Sequence, residues 1–345
     1  MDQPTHSRRN ARYKPALAIF AGIGSVWVFV LVTLGAFTTS IGAGMAFPDW
    51  PLSNGSINPE GWLENLSMFA EHSHRLTGMM MGLITIGLAF WLWRTEERGW
   101  LRKLGWWSLG IVIFQGILGG KRVLLDSIAV PGFDMSLGQM LRVPHGVLAQ
   151  VYVCILIAIA ASCTKSWIER ANPVSDRVRT WGLICCGLLI VQLIVAATMR
   201  HNGAGLAIRT FPYSTPDGGW LPVQWDFRVA LHFAHRVMAL ILAVALTIFT
   251  FMVRRERGIP LSMRMAASMI LSLMVLQILL GMQIIQTFRK ADVTTSHVVV
   301  GALLLATTFW LTWVAHRDRI EGKTAPGRSA ARVDAPLTGA PVPRA

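Results

Sequence analysis

The sequence predicts an all-α integral membrane protein with eight transmembrane helices. Of its 345 residues, 53% are hydrophobic and only 14% are charged, whereas soluble domains carry about a quarter charged residues. A helix needs about 20 apolar residues to cross the hydrocarbon core of a bilayer. Backbone that faces lipid must satisfy its own hydrogen bonds, so each apolar run is predicted to be a helix. The eight runs lie at about 17–40, 72–93, 104–121, 145–163, 181–200, 232–253, 264–286 and 296–315.

The distribution of Lys and Arg predicts that both termini are cytoplasmic. Short cytoplasmic loops carry an excess of these residues, and here they concentrate in the N-terminal tail, 1–16, and in the even-numbered connections. The first connection, 41–70, contains neither Lys nor Arg. The odd-numbered connections are therefore predicted to be external.

The net charge of +14 has the same origin, because the anionic inner surface of a membrane attracts basic loops. The sequence contains no basic soluble domain, so nucleic-acid binding is excluded and the lipid bilayer is the expected partner. Residues 1–14 are not expected to form a cleavable signal or a transit peptide, which favours the inner membrane of a bacterium. The segment 317–345 is predicted to be a disordered cytoplasmic tail, because it is rich in Pro, Ala, Gly and Arg.

An internal repeat divides the chain into two halves. The segment Gly42–Ala46 recurs as Gly203–Ala207, a shift of 161 residues, and several other matches keep nearly the same shift. Agreement at a constant offset indicates duplication. We therefore predict two tandem, pseudo-symmetric four-helix bundles, 17–163 and 181–316, joined by a cytoplasmic linker, 164–180. The other matches are Pro51 with Pro212, His74-Arg75 with His235-Arg236, and Gln115–Gly119 with Gln277–Gly281.

Four histidines begin apolar helices, two in each half: His74, His145, His235 and His297. An ionisable side chain inside a membrane is costly and therefore marks a functional site. Helix bundles hold cofactors between facing helices, and one imidazole from each of two such helices is a common set of iron ligands in haem proteins. The sequence thus predicts two haem sites near the external face, with the four histidines as ligands of the haem iron.

Glu71 and His232 occupy the same position of the repeat, three residues before His74 and His235. The spacing places each pair on one helical face, so Glu71 is predicted to point into the first site as a candidate for proton or cation chemistry. The alternative is a carboxylate at a helix start, where the macrodipole favours it. For His232, the sequence leaves open whether it lines the second site or makes a structural hydrogen bond.

Four arginines at the outer ends of the spans are candidates to bind haem propionates through charge-assisted hydrogen bonds. Side chains that extend to the membrane interface are the alternative. The external segments Phe47–Pro51 and Phe211-Pro212 are predicted either to fold over the sites or to anchor at the interface. The four arginines are Arg75, Arg122, Arg200 and Arg236.

The remaining histidines are not predicted to be ligands. His72 is two positions from His74, about 200° around a helix, so we expect it to face away from the site, at the interface. His201 has no histidine partner in the first half, which favours a loop role. His6 and His316 lie in segments predicted to be cytoplasmic, and no role is expected for them.

Together these motifs resemble the heme A synthase family, whose enzymes convert haem O to haem A. The resemblance spans about 17–315. It implies that the second half holds a haem b cofactor on His235 and His297 and that the first half receives haem O between His74 and His145. The motifs that carry it are the loop Gly42–Pro51, Glu71-x-x-His74-Arg75, Pro144-His145-Gly146, His232-x-x-His235-Arg236 and Ser296-His297.

The resemblance further implies an oxidoreductase that oxidises a ring methyl twice, through an alcohol and a gem-diol, to a formyl group, with water as the oxygen source. Glu71 would be a proton acceptor or an electrostatic support for a cationic intermediate. The partners would include heme O synthase and assembly factors of cytochrome c oxidase, and a homo-oligomer is compatible with the sequence. All four cysteines lie within predicted spans, which resembles the branch without loop cysteines found in proteobacteria and mitochondria.

Two other functions compete with this interpretation. A dihaem b-type electron-transfer cytochrome would use the same ligands, but its haems would serve transport across the bilayer better at different depths. A carrier or haem exporter also fits a duplicated bundle, although the spans show no polar path to both faces.

Overall fold

The computed structural model describes residues 12–132 and 134–322, and within them the chain is helical with no β-strand beyond two isolated bridges. The N-terminal segment 1–11 and the tail from 323 lie outside the described residues, as do the predictions made for them. The helices, in chain order, are α1 Pro15–Ser40, α2 Leu66–Thr95, α3 Gly99–Leu124, α4 Leu137–Met140, α5 Arg142–Cys163, α6 Lys165–Glu169, α7 Asp176–His201, α8 Phe227–Arg255, α9 Leu261–Gln286, α10 Ala291–Ala315 and α11 Arg317–Ile320.

Seven helices are long and apolar enough to cross a membrane: α1, α2, α4 together with α5, α7, α8, α9 and α10. The chain is therefore a multi-pass membrane protein. The remaining long helix, α3, is not among the seven. Its apolar stretch is short, because basic residues lie near its start and Lys121 and Arg122 lie in its last turn.

The long helices pack as two rings of four. In the first ring α1 packs on α2, α2 on α3, α3 on α5 and α5 on α1, so α2 and α5 lie on a diagonal. In the second ring α7, α8, α9 and α10 pack in the same cyclic order, with α8 and α10 on the diagonal. Each diagonal pair carries one of the predicted histidine pairs. The rings meet where α1, α5, α7 and α10 pack together, and each ring has its own cluster of buried apolar residues.

The backbone repeats as the sequence does. Gly42 in the first loop and its equivalent Gly203 in the second both have a positive φ, 75° and 68°. Glycine adopts this conformation without steric cost. The caps of α2 and α8 are also equivalent: Asn65 accepts hydrogen bonds from Ser67 and Met68, and Asp226 accepts one from Val229. Both loops contain a cis peptide bond, Trp50–Pro51 and Phe211–Pro212.

The segment that follows α10 is ordered through Gly322, although residues from 317 were predicted to be disordered. In α11, the Arg317 side chain is 1% exposed and donates to the carbonyl oxygens of Trp167 (2.6 Å) and Ile168 (3.3 Å) in α6. Arg317 also pairs with Asp318 (2.6 Å), which accepts hydrogen bonds from the backbone N–H of Asn172. Composition predicted disorder here, and these contacts with the linker explain the order.

Candidate histidine-lined site

The four predicted ligand histidines lie toward the same end of the molecule. His74 and His145 contact the last part of α1 and α3, because a Cβ atom built at Gly35 or Gly119 would lie against their rings. His297, near the start of α10, contacts Gly281 near the end of α9 in the same way. His235 of α8 is eight residues after the start of its helix, as His74 is in α2. The structure thus brings each predicted pair to the same end of its ring.

Small residues let the helices approach the rings of the first pair. A Cβ atom at Gly35 would lie 2.8 Å from Cε1 of His74, and one at Gly119 would lie 3.0 Å from Cε1 of His145. At such distances a Cβ atom would clash with the ring, so only glycine fits at these two positions. Gln115, one turn before Gly119, donates to the backbone carbonyl of His145 (2.9 Å). These contacts fix the position of both imidazoles from the side of the neighbouring helix.

In the second ring, glutamines contact the rings directly. The Gln192 amide nitrogen lies 3.0 Å from Nδ1 of His235 and donates to the carbonyl of the same residue (3.1 Å). The Gln277 amide nitrogen lies 3.2 Å from Nε2 of His297. A Cβ atom at Gly281 would lie 3.4 Å from Cε1 of His297, an ordinary contact distance. The second pair is therefore held by polar contacts as well as by close packing.

Each of the four histidines keeps at least one ring nitrogen without a hydrogen-bond partner among the described residues, and such a nitrogen could bind a haem iron. Nδ1 of His74, of His145 and of His297 is buried without a hydrogen-bond partner. All four side chains are only partly buried, whereas their neighbours His72 and His232 are 3% and 4% exposed. Within the described residues, no group of three or more His, Cys, Asp or Glu side chains is arranged to hold a bare metal ion. A haem iron needs only two axial protein ligands, so the residues present fit haem.

Glu71 and Arg75 bind the loop that precedes α2. The Glu71 carboxylate accepts a hydrogen bond from Arg75 (2.7 Å) on one oxygen and from the backbone N–H of Phe47 (3.1 Å) on the other. Arg75 also donates to the carbonyl oxygens of Phe47 (3.3 Å), Asp49 (2.8 Å) and Leu52 (2.6 Å). Phe47 is completely buried. The loop is thus attached to α2 within one turn of His74.

Asp49 braces the same loop from within. Its carboxylate accepts hydrogen bonds from the backbone N–H groups of Asn54 (2.8 Å) and Gly55 (2.7 Å). Burial raises the pKa of this carboxyl, but the backbone hydrogen bonds and the nearby Arg75 outweigh it, so the pKa lies below its usual value. Asp49 is therefore a charged acceptor at neutral pH.

In the second half, His232 and Arg236 bind the equivalent loop. His232 accepts a hydrogen bond from the backbone N–H of Ile208 (3.2 Å). Arg236 donates to the carbonyl oxygens of Ile208 (3.1 Å), Thr210 (2.6 Å) and Tyr213 (3.2 Å). Of the two alternatives left open for His232, the structure shows the structural hydrogen bond.

The other two arginines proposed for propionates also contact backbone carbonyls. Arg122 of α3 donates to the carbonyl of Gly44 in the first loop. Arg200 of α7 donates to the carbonyl of Ala36 (3.1 Å) and the hydroxyl of Ser40 (2.9 Å) on α1, in the other half of the molecule. Propionate binding by any of the four arginines stays a prediction, and each has a protein partner.

His72 does not lie at an interface, so that prediction is wrong. Its side chain is buried, Nδ1 is hydrogen-bonded to Ser53 (3.1 Å), and its ring packs edge-on against Phe47 and Trp62. The helical angle did place it away from His74, but the loop covers that face. His201 is the last residue of α7 rather than a loop residue. The ring of His316, the residue after α10 at the other end of the molecule, is hydrogen-bonded to the carbonyl of Thr312.

Sequence reasoning missed the residues that hold the histidines. Gln115 and Gln277, with Gly119 and Gly281, stand at matching positions of the repeat, so the repeat itself was a signal for them. Gln192 has no such signal, because its equivalent in the first half is Leu31. Trp50, whose ring lies directly over Gly120, was noted only as an aromatic of the loop.

The fold and the site define a multi-pass membrane protein in which two histidine pairs lie at one end of two equivalent helix rings. Comparison with known proteins gives the family. The family model described as Cytochrome oxidase assembly protein, COX15-CtaA, matches residues 18–309. This chain belongs to that family.

Curated relatives extend over most of the chain. The heme A synthase of Bacillus licheniformis is 31% identical over 225 residues, which are 62% of this chain and 68% of that protein. The heme A synthase of Halalkalibacterium halodurans is 23% identical over 314 residues, covering 88% of this chain and 98% of its own length. That of a Caulobacter species is 23% identical over 353 aligned positions, covering 90% and 98%.

Proposed function

We propose that this chain is a heme A synthase, which oxidises a ring methyl of haem O to a formyl group to give haem A for a terminal oxidase. One observation carries the proposal: two diagonal histidine pairs, each packed against glycine, occupy duplicated positions in a chain of the Cytochrome oxidase assembly protein family. The heme A synthases among its relatives support the same activity.

The two halves would bind different haems. His74 and His145 would hold the substrate haem O, and His235 and His297 would hold haem b, which supplies one-electron redox chemistry when bound. We assign the second pair to the resident cofactor, because Gln192 and Gln277 each contact one ring nitrogen of an imidazole, which orients the ring and leaves its other nitrogen for the iron. Among the described residues, no side chain is hydrogen-bonded to a ring nitrogen of His74 or His145, which suits a haem that must enter and leave.

The oxidation of the methyl group proceeds in two equivalent steps. In each step a C–H bond breaks, the carbon gives up a proton and passes a pair of electrons to an external electron acceptor, and a water molecule adds and releases a second proton. The methyl becomes an alcohol and then a gem-diol, which loses water to leave the formyl group. Of the roles predicted for Glu71, proton acceptance is not favoured by its contacts, since Arg75 and the Phe47 N–H engage both carboxylate oxygens.

We further propose eight spans, with α3 as the eighth, because α3 is 26 residues long and packs in the first ring between α2 and α5. Two tandem four-helix bundles with both termini in the cytoplasm follow. The site then lies near the periplasmic side of a bacterial inner membrane, since the loop that precedes α2 lacks Lys and Arg. Heme O synthase and oxidase assembly factors are the proposed partners, and the absence of cysteine from the loops favours the branch without loop thiols.

The test is the haem content of membranes that contain this chain together with a source of haem O. Extracted haems are separated by chromatography for the native chain, for His74→Ala and His145→Ala, and for His316→Ala as a matched control at the opposite end. We expect haem A from the native chain and the control and none from the two ligand variants. Haem b alone in all four samples, at two per native chain, would instead identify an electron-transfer cytochrome.

A further inference from the structure

Both halves attach an outer loop to the start of a ligand-bearing helix through equivalent contacts. Arg75 binds the carbonyl oxygens of Phe47, Asp49 and Leu52. Arg236 binds those of Ile208, Thr210 and Tyr213, which are the same positions shifted by 161 residues. We call each arrangement a loop clamp: Glu71 and Arg75 in the first half, His232 and Arg236 in the second.

In both clamps a backbone N–H of the loop donates a hydrogen bond to a side chain of the helix, but the accepting side chain is different. Phe47 donates to the Glu71 carboxylate and its equivalent Ile208 donates to the His232 imidazole. The Glu71 side chain is 5% exposed and its other oxygen is paired with Arg75. The property common to both halves is therefore acceptance of a loop N–H at a buried position, which needs no carboxylate.

The first clamp also connects the two ligands of its site. Arg75 follows His74 in α2, and the loop that it holds places the ring of Trp50 against Gly120 of α3. The neighbouring Gly119 contacts the ring of His145. Arg122, two residues further along α3, binds the carbonyl of Gly44 in the same loop. A continuous set of contacts thus runs from α2 through the loop to α3 and then to His145.

We propose that Glu71 and Arg75 are positioning residues, which hold the outer loop so that His74 and His145 keep the spacing that the substrate haem requires. His232 and Arg236 serve the second site in the same way. The identity of the haem in this inference rests on the proposed function, whereas the clamp rests on the contacts alone. In this proposal Glu71 holds the loop in position and does not itself transfer a proton.

The first experiment measures amide hydrogen exchange of the two loops in the full-length protein purified with its haems. Arg75→Ala and Glu71→Ala are expected to speed exchange in residues 44–53 about tenfold or more, because each removes charge-assisted hydrogen bonds to the loop backbone. Exchange in 208–213 is expected to stay native. Arg236→Ala is the matched control and should give the reverse pattern. Equal exchange in both loops for all three variants would overturn the proposal.

The second experiment uses Glu71→His, which places in the first clamp the residue that the second clamp already contains. It is expected to keep protection of the Phe47 amide and to make haem A within about tenfold of the native rate. Glu71→Ala and Arg75→Ala should both lose activity and alter the absorption spectrum of the first haem only. Their losses should not add in the double variant, since residues of one network are coupled.

A direct chemical role for Glu71 gives a different result. Glu71→His and Glu71→Ala would then be equally inactive with native loop exchange and a native spectrum of the first haem, which would overturn the clamp and leave the synthase intact. If the native chain makes no haem A, the proposed function fails, yet the exchange comparison of Arg75→Ala with Arg236→Ala still decides the clamp. Should Glu71→Ala fail to fold, Glu71→His and the arginine pair decide it.

Discussion

Glycines beside the histidines determine how close each neighbouring helix comes to an imidazole. A Cβ atom would lie 2.8 Å from the His74 ring at Gly35, 3.0 Å from the His145 ring at Gly119 and 3.4 Å from the His297 ring at Gly281. Real contacts do not fall below about 3 Å, because interiors are packed at van der Waals distances. We therefore expect Gly35 to tolerate an added methyl group least, Gly119 more and Gly281 most.

We predict that Gly35→Ala abolishes haem binding in the first half, Gly119→Ala weakens it strongly and Gly281→Ala leaves the second haem bound. The measurement is the haem content and absorption spectrum of each purified variant. Gly116→Ala is the matched control on α3, because a Cβ atom there meets nothing within 4 Å and alanine gains about 1 kcal/mol in helix propensity. Equal losses at Gly35 and Gly116 would contradict a steric cause.

At this scale the sequence predicted which histidines share an end of each ring, but not their surroundings. His74 and His235 could be found because a titratable residue inside a membrane span is costly, and its presence at duplicated positions indicates a site. The partners of Arg75 and Arg236 could not, because they are backbone carbonyls of a loop and carry no side-chain signature. His72 was misplaced for the same reason: a helical wheel has no information on a loop that covers the helix.

At the end of the molecule opposite the histidine pairs, short elements join the linker to the last helix. Arg317 of α11, whose side chain is 1% exposed, binds two carbonyl oxygens of α6 and pairs with Asp318. The nearby rings of Trp100, Trp167 and Trp313 contact one another. Composition could not predict this element, since a four-residue helix is stabilised by these tertiary contacts rather than by its own propensity.

We predict that Arg317→Ala destabilises the protein by about 3–5 kcal/mol, because it leaves a buried carboxylate without its partner. Arg319→Ala is the matched control, since its pair with Asp176 lies at the surface, where such pairs contribute little. Thermal unfolding in detergent, followed by circular dichroism, measures both. A similar shift in midpoint for the two variants would show that α11 is not held by Arg317.

Over the whole molecule, the repeat predicts the two rings but not how they meet. Residues that join the two halves are not repeated between them. Arg200, for example, stands where the first half has Thr39. Arg200 of α7 binds Ala36 and Ser40 at the end of α1, and Thr295 of α10 donates to Ser40 (3.0 Å). Duplicated sequences diverge where two copies must bind each other, so this interface had to come from the structure.

This junction between the halves lies near both pairs of histidines. Ser40 is five residues after Gly35, which contacts the His74 ring, and Thr295 is two residues before His297. Loss of Arg200 removes its two hydrogen bonds to α1 and leaves the Ser40 hydroxyl with Thr295 as its remaining donor, so α1 and α10 are both expected to shift. Because α1 contacts His74 and α10 carries His297, a change here should reach both proposed haem sites, unlike a change in either loop clamp.

We therefore predict that Arg200→Met changes the midpoint potentials of both haems, measured by redox titration of the purified protein with optical detection. Arg75→Ala should change only the first and Arg236→Ala only the second. Thr198→Ala is the control on α7, since its hydroxyl bonds only to the carbonyl of Ile194 in its own helix. A response to Arg200→Met confined to one haem would mean that the halves behave as independent bundles and that the junction serves assembly alone.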